Sequence, residues 1–116
     1  MPVPLSGTHL ADAAFAMPAS AEYLGVIVAT TTKNNHDTAT PFSNTGDALK
    51  GKLLLVQSDV ACYILGGIAN TATVTSTNGV RIEANERVPF RMRRDQGWLA
   101  CLPTTGTANL RVWELR

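Results

Sequence analysis

Charge is scarce in this chain. Asp, Glu, Lys and Arg together make up 16% of its 116 residues, against roughly a quarter in an average globular protein. Ten basic residues face nine acidic ones, whereas a dedicated nucleic-acid binder carries a clear basic excess, so no nucleic-acid partner is expected. Histidine is limited to His9 and His36, and cysteine to Cys62 and Cys101. There is no Cys-x-x-Cys, no His-x-x-His and no carboxylate cluster to supply the converging ligands of a zinc site. No metal and no cofactor are expected. Apolar runs stay far short of the ~18 residues of a membrane span, which leaves no membrane segment. The Ala-rich stretch 11–21 lacks the basic leader of a secretory signal, since the first basic side chain is Lys33, and Asp12 interrupts it.

Catalytic signatures are also missing. Ser20, Ser43, Ser58 and Ser76 sit in no Gly-x-Ser-x-Gly elbow, and a serine or cysteine nucleophile needs a base and an orienting acid beside it. Gly66-Gly67 has neither a following Lys-Ser/Thr nor a strand-to-helix setting, so it is no phosphate loop. His9 and His36 read as solvated loop side chains, and enzymatic activity is not expected. Cys62 and Cys101 both lie inside apolar runs. As buried thiols they suit a core; in a secreted protein they could instead form one bridge.

What is present is a pattern of strands. Hydrophobic residues reach 45%, enough for the core of one domain of common size. Leu53-Leu54-Leu55-Val56 is a short apolar run of buried-strand length, and residues 60–65 follow as another strand. Residues 71–76 form a Thr/Val strand that leads into Asn78-Gly79, a strong hairpin signal because a type I′ turn needs two positive φ angles. Val80, Ile82 and Ala84 alternate with Arg81, Glu83 and Asn85 at a period of two. Val88, Phe90 and Met92 alternate in the same way with Pro89, Arg91 and Arg93, and Pro89 marks an edge or a bulge. Residues 98–102 and 107–115 complete the series, with Leu110 and Val112 inward. Turns about ten residues apart predict a sandwich or barrel.

The first half has one clear strand, residues 23–30, with Val26 and Val28 on one face and Gly25 and Ile27 on the other. Residues 1–22 precede it as an expected extended arm lying on a neighbouring chain, the alternative being a segment that packs back on its own domain as an edge strand. Pro2, Pro4 and Pro18 discourage helix there, and Val3, Leu5, Leu10, Phe15 and Met17 are apolar anchors that a solvated tail would not need. Residues 31–50 form a long polar loop of the kind that is uncommon inside a compact domain. Arm and loop hold more than a third of the chain, and ordering each residue costs ~1–2 kcal/mol. They call for a neighbouring chain to pack on, so a homo-oligomer is expected, a trimer ahead of a dimer.

Charge with geometry is confined to the arginines. Arg87, Arg91 and Arg93 fall opposite Val88, Phe90 and Met92, with Arg94 at the adjoining turn, and guanidinium forks suit carboxylates and phosphates. One reading is a solvated face whose arginines pair with Glu83 and Glu86; the other is a subunit or partner contact. Trp98 and Trp113 fall on what should be facing strands of one hairpin. Trp113 has the parity opposite to Leu110 and Val112, so it either packs across the strands or faces outward as an interface residue.

Gly51-Lys-Leu-Leu-Leu-Val, Asn78-Gly79 and the ending Gly97-Trp-Leu-Ala-Cys-Leu-Pro-Thr-Thr-Gly-Thr-Ala-Asn-Leu-Arg-Val-Trp-Glu-Leu-Arg, set in a low-charge Thr/Ala/Gly texture, resemble small bacteriophage virion proteins, above all capsid decoration (cement) proteins. The resemblance implies a β-sandwich or barrel-like domain with an N-terminal arm, often trimeric or dimeric, stapled onto capsomer junctions. Its partner would be the major capsid protein. Its place would be the capsid surface of a virion assembled in the host cytoplasm. The expected fold is an all-β antiparallel β-sandwich, jelly-roll-like, with the arm at 1–22 and the domain at 23–116. An alternative class is a phage tail, fibre or receptor- or carbohydrate-binding module that exposes Trp98, Trp113 and Tyr63. A small enzyme would need His9 and His36 to meet in a pocket.

Overall fold

A computed structural model describes residues 21–37 and 49–115. The anchors Val3, Leu5, Leu10, Phe15 and Met17 lie outside the described residues, as does His9. Eight strands follow one another: β1 (Ala21–Ala29), β2 (Lys33–Asn34), β3 (Leu53–Ser58), β4 (Cys62–Gly67), β5 (Val80–Ile82), β6 (Arg87–Arg91), β7 (Trp98–Pro103) and β8 (Ala108–Leu115). The described residues contain no helix.

Strand pairing follows one rule. The first four strands run antiparallel to the last four in reverse order, giving β1·β8, β2·β7, β3·β6 and β4·β5. Two further antiparallel pairings, β3·β8 and β4·β7, roll this ribbon into two four-stranded sheets. The first sheet has the order β1-β8-β3-β6 and the second β2-β7-β4-β5. Alternation then decides the core, because successive side chains leave a strand on opposite faces. Ile27, Leu54, Val56, Leu110 and Val112 of the first sheet meet Cys62, Ile64, Ile82, Leu99 and Cys101 of the second in one buried cluster, which Leu49 and Met92 join.

The first sheet ends on β6 at one side and β1 at the other. Pro89 sits in β6, where its missing N–H costs no ladder bond. The opposite edge strand, β1, is nine residues long. It carries a bulge between Tyr23 and Gly25, where Gly25 adopts φ 154°, a backbone angle that side-chain-bearing residues rarely take. The bulge keeps Tyr23 on the outer face while Leu24 packs against the core.

Several expectations need correction. Trp98 and Trp113 do not share a hairpin: β7 and β8 lie in different sheets, and the turn at Thr104–Gly106 carries the chain from one to the other. Residues 71–76 form no strand. Asn78-Gly79 lies in a local turn instead, with the Gly79 N–H donating to the Thr75 carbonyl at 3.0 Å and the Thr75 N–H to Asn78 Oδ1 at 2.7 Å. Residues 31–50 are not all loop, since β2 lies within them, and β1 begins at Ala21, ahead of Tyr23.

Candidate interaction face

The two sheets differ in how their outer faces are finished. On the second sheet, Trp98 and Ala100 point away from the core and are nonetheless buried. Residues 68–79, between β4 and β5, fold back to close this face. Asn34 holds them: its side-chain amide donates to the Asn70 carbonyl at 2.8 Å and to the Ala72 carbonyl at 3.1 Å. Thr32 Oγ1 accepts from the Val74 N–H at 3.0 Å, and Val74 is 1% exposed. Gly79 makes room beneath it, since a Cβ there would lie 2.5 Å from Val74 Cγ2 and 2.9 Å from Tyr63 Cβ. His36 caps the same side with its ring edge-on to Trp98, centroids 5.5 Å apart.

No described segment folds over the outer face of the first sheet in this way. Register places its side chains in rows across the four strands. The central row is Tyr23, Trp113, Leu55 and Pro89, one residue from each strand. Tyr23 and Trp113 touch, ring centroids 5.6 Å apart and tilted by 58°, and Tyr23 is still 52% exposed. On one side runs the row Ala21, Leu115, Leu53 and Arg91; on the other runs Val26, Arg111, Gln57 and Arg87. These rows carry three arginines and no carboxylate. Aromatic, aliphatic and Arg side chains match the cores of protein interfaces; two residues along β8 from Arg111, Asn109 is held by Asp59, whose charge acts on Arg111.

Arg87 and Arg91 do point away from the core, because Val88 and Phe90 take the inward positions of β6. Their pairing with Glu83 and Glu86 is not formed, since β5 and β6 belong to different sheets. Glu83 instead accepts from Arg81 Nε at 2.8 Å, which holds its carboxyl below the ordinary glutamate range and raises the Arg81 guanidinium. Glu86 accepts from the Glu83 N–H at 3.1 Å. Arg91 donates to the Gly51 carbonyl at 2.9 Å. Arg93, past the end of β6, pairs loosely with Asp95 at 3.8 Å. An open groove of about 610 Å³ lies here, lined by Gly51, Arg91, Met92, Arg93, Arg94 and Asp95. Trp113 is on the face and Trp98 is not.

The remaining chemistry-bearing groups do not converge. Among the described residues no cluster of three or more His, Cys, Asp or Glu side chains could hold a metal. Cys62 and Cys101 are unbridged and fully buried between the sheets; a hydrogen bond with Cys62, then burial, pushes the Cys101 thiol far up. Asp59 accepts from the Asn109 N–H and side-chain amide, each at 2.8 Å, which lowers its carboxyl below the ordinary value. Tyr23, Leu55, Pro89 and Arg111 were not among the interface residues expected from sequence. The one signal for them was Leu53-Leu54-Leu55-Val56, apolar on both faces where a half-solvated strand alternates. Compared with protein-family models, curated proteins and solved structures, the chain has no match.

Proposed function

We propose that this is a bacteriophage virion protein that decorates and stabilises a capsid by bridging its subunits. The observation that carries the reading is a domain finished on one side only: its second sheet is closed by its own chain, while the apolar and arginine-rich outer face of the first is closed by no described segment, as suits a protein that is completed on assembly. The strand orders β1-β8-β3-β6 and β2-β7-β4-β5 support a jelly-roll sandwich, an architecture common among viral capsid domains. In this reading the β domain is a rigid plug on the capsid surface, assembled in the host cytoplasm. Residues 1–20 form the arm that reaches a neighbouring chain, and a homotrimer is favoured over a dimer. The major capsid protein is the partner, with the arginine groove beside Gly51 suited to carboxylates on its surface.

Purified protein mixed with assembled shells that lack it should co-sediment saturably and raise their resistance to heat. Shells that neither retain the protein nor gain resistance would overturn the proposal. A second reading, a tail, fibre or receptor- or carbohydrate-binding module, draws on the half-exposed Tyr23 ring beside Trp113, because sugar rings stack on such surfaces. Trp98 and Tyr63 cannot join that pair, since both belong to the second sheet. Specific retention on a glycan array, without shell binding, would favour it.

A further inference from the structure

We infer that the outer face of the first sheet is the receiving site for residues 1–20 of a second copy of this chain, so that the copies are joined by exchange of arms. The inference rests on the capsid-decoration reading, in which the arm reaches a neighbouring chain, and it names that chain and the surface it meets. Three observations carry it.

The first is where the arm begins. Ala21 pairs with Leu115 and opens the row that continues through Leu53 to Arg91, so the twenty residues before it leave from the margin of the face itself. The second is length. Crossing the sheet from β1 to β6 means passing three strand spacings, about 15 Å, and the strands run for about 30 Å. Fully extended, the segment from Val3 to Met17 would span about 46–50 Å, comparable with the molecule's longest dimension of 48 Å. An arm confined to its own face would have to double back, whereas one running to a neighbour can place all its anchors. The third is chemistry. Residues 1–20 hold no Lys or Arg and one acid, Asp12, while the face offers Leu55, Trp113 and Tyr23 bordered by Arg87, Arg91 and Arg111 with no carboxylate in those rows. Apolar anchors fit the centre of such a face, and Asp12 fits the side of its rim held by Arg87 and Arg91, since Arg111 already feels the charge of Asp59 beside Asn109. With several copies, each docked arm raises the effective concentration of the next.

Light scattering on the intact chain should give a multiple of the 12.4 kDa protomer. The chain lacking residues 1–20 should fall to a single-chain mass with its far-UV circular dichroism unchanged. Tyr23→Glu combined with Arg111→Glu, both at exposed positions, should also give a folded single chain, because its face no longer receives an arm. Mixing the two variants restores one productive contact, the arm of the second on the face of the first, and a two-chain species should appear. An intact chain that is monomeric across a wide range of concentration overturns the inference. So does a truncated chain that stays oligomeric, or a pair of folded variants that do not combine. If truncation unfolds the domain, mixing isotope-labelled and unlabelled intact chain decides: arm-to-face nuclear Overhauser contacts between labelled and unlabelled copies are expected, and contacts only within one copy refute exchange. Shell binding is measured separately, so failure of the capsid reading leaves these outcomes readable by themselves.

Discussion

Replacing Asn34 by Ala should cost about 2–3 kcal/mol of stability without changing the fold. Its carboxamide is 1% exposed. It donates to the Asn70 and Ala72 carbonyls at 2.8 and 3.1 Å and accepts from the His36 N–H at 2.8 Å. A hydrogen bond contributes ~0.5–1.5 kcal/mol net, and a buried group left without a partner costs more. Three bonds therefore give about 3 kcal/mol, reduced because Asn70 and His36 are exposed and water can replace part of what is lost. At about 2.1 cal/mol/K of unfolding entropy per residue, each kcal/mol moves Tm by about 4 °C in a chain of this size, so a fall of about 8–12 °C is expected. Calorimetry and a urea titration measure it, and an unchanged m-value would show that the same surface is exposed on unfolding. A loss under about 1 kcal/mol would refute the reasoning. Residues 68–79 would then not be held across the second sheet by this side chain, and the contrast between the two faces would lose its support.

Gly79→Ala should destabilise by about 1–3 kcal/mol by overpacking, since the new methyl would lie 2.5 Å from Val74 Cγ2 and 3.0 Å from the Thr75 carbonyl; a neutral result in urea unfolding would contradict that packing. Cys62 and Cys101, both fully buried, should resist a water-soluble disulfide reagent in the native protein and react in denaturant, and reaction at the rate of an open thiol without unfolding would refute their placement. Asp59 has a folded-state pKa below its ordinary 3.8, so its contribution is present above that pH and is lost as pH falls through the lower folded value. Asp59→Asn should therefore make stability less sensitive to acid below about pH 4, measured by urea midpoints at neutral and acid pH; an unchanged acid limb would show that the Asn109 contacts do not act on the carboxyl. In the chain lacking residues 1–20, Tyr23→Ala should cost about 0.5–1.5 kcal/mol, the value of an aromatic pair, and a much larger loss would mean that the Tyr23 ring is part of the core.

The strands that alternate cleanly were legible because one residue in two is buried against the other sheet. Ile27, Leu110 and Val112 fall inward as their parity requires, and Pro89 marks an edge strand. The sheet to which a strand belongs was not legible. A four-residue turn such as that at Thr104 looks the same whether it closes a hairpin or crosses between sheets, which is why Trp98 and Trp113 were set on one hairpin. Glu83 and Glu86 miss the arginines of β6 for the same reason: adjacency in sequence is not adjacency in a ladder. Residues 71–76 read as a strand from their β-branched side chains. Their backbone is claimed instead by Asn34 and Thr32, 38 and 42 positions away, and no local propensity records that.

An apolar run without alternation carries more than strand propensity. A strand with one solvated face alternates, and a strand apolar throughout asks for cover on both. In β4, Tyr63 and Leu65 alternate with the buried Cys62 and Ile64 and are themselves half-buried, because residues 68–79 return across that side of the sheet. In β3, Leu53 and Leu55 alternate with the buried Leu54 and Val56 and turn toward the other outer face. Leu55 is 9% exposed beneath Trp113 and Pro89, its partners in the row, while Tyr23 at the end of the row stays 52% exposed. Burying side chains of this kind is worth ~1.5–3 kcal/mol each when complete, and the described residues collect that only in part on this face. The two sheets therefore carry the same requirement and meet it differently. The second is covered by a stretch of chain between its own strands. For the first, no described segment supplies the cover, and the apolar anchors of residues 1–20 have the chemistry to do so.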